Sequence, residues 1–355
     1  MKLLVIRRDN IGDLICTTPL IRKLRQKFPD AQIDALVNSY NLPVVRNLPE
    51  LDSVFSYTKA KHRTADQSFL GVHFSRLCML WKMRNESYDY VILANGGCLP
   101  RPLALARALN PKHIVGFIED GNKLGKYINL GVNNARPEGM HEVENLQRLL
   151  SVFDITDQPL PVSIHSDETE VASVRAKLLI QHWYKKTVPT LAIHISSRKP
   201  PQRWPANHFI TLMRDLYSKY NAQFLLFWSP GDEHNPHHPG DDRKAAEIME
   251  AVKDLPVLAY PTEKLEELIG AISVCDAMIC SDGGAMHVGA GLGKPIVCFF
   301  GNSDAAVWHP WGVPYELLQK ESRNVADISA EEALQAFERL LPFIKMERPS
   351  IENMN

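Results

Sequence analysis

The sequence predicts an α/β protein made of two doubly wound domains. Three observations carry that prediction. Short apolar runs alternate with amphipathic helical stretches, the pattern of a parallel sheet covered by helices on both faces. The alternation starts afresh after a linker around residues 155–170. The chain also has 355 residues, more than one hydrophobic core usually organises, which favours two domains of roughly 150 to 180 residues. The expected division is a first domain over 1–165, a second over 166–328, and a helix and tail over 329–355 that pack back toward the first domain.

The elements follow in order. "KLLVI" (2–6) is a short apolar run bounded by charge and reads as a buried strand. "GDLICTTPLIRKLRQKFP" is helical, with Leu20, Ile21, Leu24 and Phe28 on one face, and Pro19 should bend or restart it. "QIDALV" (32–37), "YDYVILAN" (88–95) and "HIVGF" (113–117) are strands, with a helix over Pro102–Leu109. The second half predicts helices over Glu168–Tyr184, Asn207–Tyr220, Lys244–Val252 and Glu263–Val274. Its strands are "TLAIHI" (190–195), "QFLLFW" (223–228), "VLAY" (257–260), "DAMICS" (276–281) and "IVCFFG" (296–301), the last closing the sheet. A glycine-rich turn precedes a helix from about Ala285. "SAEEALQAFERLLPFI" (329–344) is a final amphipathic helix, with Ser329 as N-cap and Glu332 three residues on.

Composition narrows the function classes. Hydrophobic content of 45% and charged content of 23% fit a folded soluble chain rather than a disordered or fibrous one. Net charge is −1, but residues 1–165 hold 21 Lys and Arg against 16 Asp and Glu, and the rest hold 19 against 25. A basic first half suggests an anionic partner on that side, and chance variation is the alternative. The six cysteines show no C-x-x-C spacing and read as buried thiols of a reducing compartment. The first apolar stretch is too short for a secretion signal, and no run reaches the length of a membrane span. A cytoplasmic protein is expected, able to touch a membrane surface, with no nucleic-acid partner.

The chemistry-bearing stretches lie at strand ends. In "SDGGAMHVGAGLGKPIVCFFG" (281–301), the amides of Gly283, Gly284 and Ala285 would point out of a helix N-terminus, where an anion such as a pyrophosphate is favoured. His287 could donate to a phosphate or sugar oxygen. The alternative is a plain helix start with Asp282 as N-cap and a packed histidine. Gly289, Gly291 and Gly293 read as helix packing and a C-cap, since they form no G-x-G-x-x-G at a strand end. "HISSRKPPQRWPANHF" (194–209) brings Arg198, Lys199 and Arg203 just past a strand, within reach of a diphosphate or merely solvated. In "FWSPGDEHN" (227–235), Glu233 or Asp232 could accept ribose hydroxyls, or form a polar turn.

In the first domain "IRRDNIGDLICTTP" sets Arg7, Arg8 and Asp13 around the first strand-to-helix turn. An ionised carboxylate there can take a proton from an attacking hydroxyl, or can simply favour the helix dipole. "TKAKHRTADQS" (58–68) reads as a basic loop able to grip an anionic acceptor through Lys61 and Arg63. "HNPHHPGDD" (234–242) is broken by Pro and Gly, so a metal site is not expected.

Together these stretches resemble glycosyltransferase family 9, the ADP-heptose:lipopolysaccharide heptosyltransferases of Gram-negative bacteria. The most specific pieces are "RRDNIGDLICTTPLIRKLRQKFP" and "SDGGAMHVGAGLGKPIVCFFGNSDAAVWHPWG", with support from "YDYVILANGGCLPRPLALARAL", "HEVENLQRLL" (141–150) and "RWPANHF". The resemblance implies the GT-B fold, two Rossmann-like doubly wound domains facing across a cleft. It implies transfer of a heptose from ADP-heptose to an inner-core sugar of a lipid-linked acceptor at the inner membrane surface, with inversion and without a metal or other cofactor. It makes Asp13 the general base. It assigns the donor to Arg203, Asp282, Gly283, Gly284 and His287, and Glu233 joins them as the residue for the ribose hydroxyls. The acceptor falls to the basic side of the first domain, at Arg7, Arg8, Lys61 and Arg63. Two positions depart from the family pattern: Arg203 stands where Lys is usual before "WP", and Gly283 where a hydroxyl residue is usual in D-[ST]-G-x-x-H. They leave open a transferase of the same fold with another ADP- or UDP-sugar. A nicotinamide-dependent oxidoreductase is disfavoured by the missing G-x-G-x-x-G after "KLLVI", and a non-catalytic nucleotide-sugar-binding protein by Asp13.

Overall fold

The computed structural model describes residues 1–57, 69–235 and 239–344, with backbone alone over 69–76. The chain divides into two compact units, Met1–His165 and Ser166–Asn355.

The first unit holds a six-stranded sheet of β1 (Lys2–Ile6), β2 (Gln32–Asn38), β3 (Ser53–Tyr57), β4 (Tyr90–Leu93), β5 (His113–Ile118) and β6 (Leu130–Asn133). All its pairings are parallel, in the order β3-β2-β1-β4-β5-β6. Strand β1 is central, and Leu3, Leu4, Val5 and Ile6 are shut off from solvent. That is why it reads as a continuous apolar run: helices cover both faces of a parallel sheet. Pro19 does restart the helix. Ile11–Ile15 ends at Cys16, and Thr18–Lys27 begins with Pro19 in its first turn, where a missing N–H costs nothing.

The second unit repeats the plan with β7 (Thr190–His194), β8 (Gln223–Trp228), β9 (Val257–Pro261), β10 (Ala277–Ser281), β11 (Ile296–Phe300) and β12 (Tyr315–Gln319). Its order is β12-β11-β10-β7-β8-β9, again all parallel. Both sheets therefore run 3-2-1-4-5-6 in their own numbering. The strand order reverses between β1 and β4, and between β7 and β10. In open α/β sheets ligands bind beyond the carboxyl ends of the strands at that reversal.

Two expectations need correction. "IVCFF" does not close the sheet, because β12 pairs with β11 from Ile296↔Tyr315 to Phe300↔Gln319. "YELLQ" lacks the alternation that marks a strand and is half-buried at the edge. The helix expected to pack toward the first domain instead belongs to the second unit's core. Ser329 caps Ala330–Leu340, its Oγ accepting from Glu332 N, as the capping box anticipates. Ala333, Ala336, Phe337 and Leu340 on one face lie in the same buried cluster as Phe209, Leu212 and Leu216 of helix Ala206–Tyr220. An apolar stripe of that width is satisfied by its own unit. The tail over 345–355 lies outside the described residues.

Candidate active site

The ligand edge of the first unit is the turn after β1. Arg7 directly follows the strand and is 2% exposed. Its Nη2 lies 2.6 Å from Asp13 Oδ1 and 3.2 Å from Glu142 Oε1, its Nε is 3.2 Å from Asp9 Oδ2, and its Nη1 donates to Ala94 O past the end of β4. Burial works against the guanidinium's charge, but the fields of Asp13, Glu142 and Asp9 outweigh it and raise its pKa above the ordinary value. Glu142 opens the helix Glu142–Gln147 and is also paired with Arg136 Nη1 at 3.0 Å. Burial pushes its carboxyl upward, against the downward pull of Arg7 and Arg136.

Asp13 is held on both oxygens. Oδ1 takes the Arg7 pair, and Oδ2 accepts from the Asn10 backbone N at 3.1 Å and from Asn10 Nδ2 at 2.9 Å. It thus closes the capping box of the helix Ile11–Ile15 while its side chain stays 16% exposed. The helix-start reading and the functional reading describe the same geometry: the cap fixes a carboxylate that still faces solvent.

Arg7 does not have the role expected of it. A buried guanidinium surrounded by three carboxylates offers no charge to an incoming acceptor, so Arg7 positions Asp13 instead. Arg8 is half-buried, with its guanidinium 4.9 Å over the Tyr57 ring. Lys61 and Arg63 lie outside the described residues.

The ligand edge of the second unit is built by three loops. After β7 runs Ile195–Arg203, after β10 the stretch Asp282–Gly284, and after β11 the turn from Gly301. Gln202 ties them together. It is 5% exposed, and its Nε2 donates to Asp282 Oδ2 at 2.6 Å and to Ser303 Oγ at 2.7 Å. Its own turn lies so close to β11 that a Cβ on Gly301 would come within 2.4 Å of Pro201 O. Arg203 follows, with Nε donating to Ser197 O at 3.0 Å. Trp204 anchors it from below: it is 1% exposed, its Nε1 donates to Ile328 O at 2.7 Å, and its rings pack on Phe209 and Phe299.

Asp282 is not the helix cap. Gly283 holds that position without a side-chain bond, and the helix spans Gly284–Gly291. The Asp282 carboxylate accepts from Gln202 instead, and its backbone N donates to Phe299 O at 2.9 Å. A Cβ on Gly283 would meet nothing within 4 Å, so the space of a hydroxyl side chain is open there. Gly289 packs the helix on the sheet, since a Cβ would come within 2.7 Å of Met278 Sδ. His287 is 5% exposed, edge-on to Trp308 with centroids 6.2 Å apart.

Glu233, past β8, is tied to Arg243 at 3.0 Å, a half-exposed pair that a ligand can displace cheaply. Asp232 makes the turn, its Oδ1 accepting from His234 N at 2.7 Å. Arg198 and Lys199 are exposed on the loop after β7. The structure thus gathers Arg203, Asp282, Gly283, Gly284 and His287 at one sheet edge. Sequence reasoning passed over Gln202, Ser303, Glu142 and Arg136. None carries a motif, and a bridging amide or buried carboxylate is recognisable only by its partners. Among the described residues no group of three or more His, Cys, Asp and Glu is arranged to hold a metal ion.

Comparison with known proteins places the chain in a family. Residues 77–337 match the family model described as glycosyltransferase family 9 (heptosyltransferase). The chain is 24% identical over 351 residues to lipopolysaccharide heptosyltransferase 3 of Escherichia coli, covering 93% of this chain and 95% of that one. Among solved structures it is similar to a family 9 glycosyl transferase from Veillonella parvula, at TM-score 0.77 and 19% identity, covering 96% and 97% of the two chains. It is also similar to the Escherichia coli heptosyltransferase WaaC solved with ADP-2-deoxy-2-fluoro heptose, at TM-score 0.73 and 18% identity, covering 96% and 99%. These likenesses give the fold as GT-B, two Rossmann-like halves.

Proposed function

The chain belongs to glycosyltransferase family 9, and from that premise we propose that it moves a heptose from ADP-heptose to an inner-core sugar of lipopolysaccharide, inverting the anomeric centre without a metal. One observation carries this reading: the switch-point edge of the second sheet, where Gln202 locks Asp282 beside the amides of Gly283 and Gly284 and next to Arg203. That edge is cationic and rich in backbone N–H groups, the surroundings a diphosphate needs.

The proposed roles are these. The donor's phosphates lie against Gly283, Gly284 and Arg203, with His287 and Glu233 toward the nucleotide sugar. In the first unit Asp13, fixed by Arg7 and Asn10, takes the proton of the acceptor hydroxyl as its oxygen attacks the anomeric carbon. The bond to the diphosphate breaks with its electrons, and the fixed amides and Arg203 stabilise the charge that develops. Because those groups already meet that charge, the proposed reaction uses no metal.

The proposed acceptor is lipid-linked and met at the cytoplasmic face of the inner membrane. No helix among the described residues is long and apolar enough to cross a membrane. Helix Phe69–Asn85 exposes Leu77 (64%) and Trp81 (70%) one turn apart, beside the exposed Lys82 and Arg84. That combination supports a peripheral association.

The test is Asp13→Ala with ADP-heptose and a deep-core acceptor. Transfer is lost while ADP binding stays within about threefold of wild type, because base and donor groups are separate. Near-normal turnover removes Asp13 as base. The open Cβ position of Gly283 favours one second reading, a transferase that takes another ADP- or UDP-sugar, and donor binding across a panel of nucleotide sugars separates the two.

A further inference from the structure

The second unit holds a half-buried cation that the reading above does not use. Lys244 lies in the first turn of helix Asp242–Ala251. An ammonium is misplaced there on two counts. That end of a helix is already positive, and a charge drawn half out of water is costly unless paired. Its Nζ donates to Ile195 O, just past β7, at 2.9 Å, and lies 4.9 Å over the buried Phe209 ring.

Four charged or titratable groups face it. Asp241 and Glu247 lend it negative field, Arg203 opposes it, and His194 stands at the end of β7. Burial and the Lys244 charge push the His194 imidazole down to about 4, so it stays neutral at physiological pH. Burial likewise pushes the Lys244 ammonium down to about 8.

Position gives this cation a meaning. Lys244 holds Ile195 O and Arg203 holds Ser197 O, so two cations grip the same loop two residues apart: at its root and at its second serine. Ser196, between them, accepts from Ser229 N through its Oγ at 2.9 Å, which fixes the loop to the turn after β8. We propose that Lys244 is a positioning residue for a nucleoside diphosphate: with Arg203 it brackets the loop after β7 and supplies the second positive charge toward which the phosphates settle. This rests on the donor-site reading. Its consequence is proton linkage, because a bound dianion favours the charged form of an ammonium that free protein holds only in part at mildly alkaline pH.

The experiment is titration calorimetry of the full chain with ADP, UDP, GDP and CDP at pH 7 and pH 8, in two buffers of different ionisation enthalpy. The best-bound diphosphate takes up about half a proton at most at pH 8, and far less at pH 7. Lys244→Met binds it about tenfold or more weakly and takes up none. Lys244→Arg keeps affinity within about threefold and also takes up none. Wild-type affinity and wild-type proton uptake in Lys244→Met overturn the inference but leave the donor site standing. A wild-type protein that binds none of the four overturns both. Should Lys244→Met fail to fold, Lys244→Arg decides: affinity within about threefold and loss of the wild-type uptake support the inference, and uptake unchanged from wild type overturns it.

Discussion

Replacing Arg7 with Met tests the frame that holds Asp13. The substitution keeps an unbranched apolar stem and removes a guanidinium that is 2% exposed and within 3.2 Å of Asp9, Asp13 and Glu142. Removing one partner of a buried ion pair costs about 3–5 kcal/mol. Here Glu142 keeps Arg136 at 3.0 Å and Asp13 keeps its Asn10 bonds, so the lower end applies, about 3 kcal/mol. For a unit of this size that lowers the melting temperature by roughly 6–12 °C. The deficit also has a sign with pH. Glu142 already has its carboxyl raised by burial, and losing Arg7 raises it further. A carboxyl whose folded pKa lies above its unfolded value binds the proton more tightly when folded. Stability is therefore greatest below the unfolded pKa and falls as pH rises through the folded one. The deficit of Arg7→Met against wild type should be smallest near pH 5 and largest above pH 7. Scanning calorimetry from pH 5 to pH 8, with transfer assays on the same samples, reads both effects. Turnover falls with the loss of Asp13's Nη2 partner. A variant within about 1 kcal/mol of wild type, with a deficit flat in pH and normal turnover, refutes the assignment of Arg7 as Asp13's support.

Two further substitutions read the second unit. Trp204→Ala empties a site that is 1% exposed, drops the bond to Ile328 O and unseats the neighbouring Arg203; denaturant titration should show a loss of about 3–5 kcal/mol, with weaker ADP binding. Gly283→Ser enters open space, so melting should show a stability within about 0.5 kcal/mol of wild type and kinetics a kcat/KM for the donor no lower than wild type.

The fold was legible where burial is symmetrical. "KLLVI", "QFLLFW" and "IVCFF" are enclosed on both faces, and their apolar runs announce them. The strands that escaped are Ser53–Tyr57, Leu130–Asn133 and Tyr315–Gln319, each near or at a sheet edge. An edge strand is buried on fewer sides and needs less hydrophobic content, so its sequence says less. The site followed a similar rule. Asp13, Arg203 and Asp282 stand on the segments that follow strands, so position along the chain located them. Arg7 stands there too, but its burial depends on Glu142, 135 residues away, and no local pattern records that pairing. Gln202 was missed for the same reason, with partners 80 and 101 residues distant.

The two sheets share one topology but treat its switch point in opposite ways, and the contrast runs against the overall charge. The first unit's residues are net basic and the second's net acidic. The paired groups at the ligand edges do not follow those totals. Asp9, Asp13 and Glu142 gather around the turn after β1, with Arg7 buried among them. Arg203 and Lys244 grip the loop after β7, with Arg198 and Lys199 exposed beyond. The transfer proposed above uses this polarity. A base must keep its electron pair available to an acceptor proton, while a leaving group must meet positive charge as its bond breaks. Net charge per half is a poor guide to either task, because it averages over surfaces the substrates never meet. The field that matters is set by a handful of residues on the segments after β1 and β7 and by the groups paired with them, not by abundance.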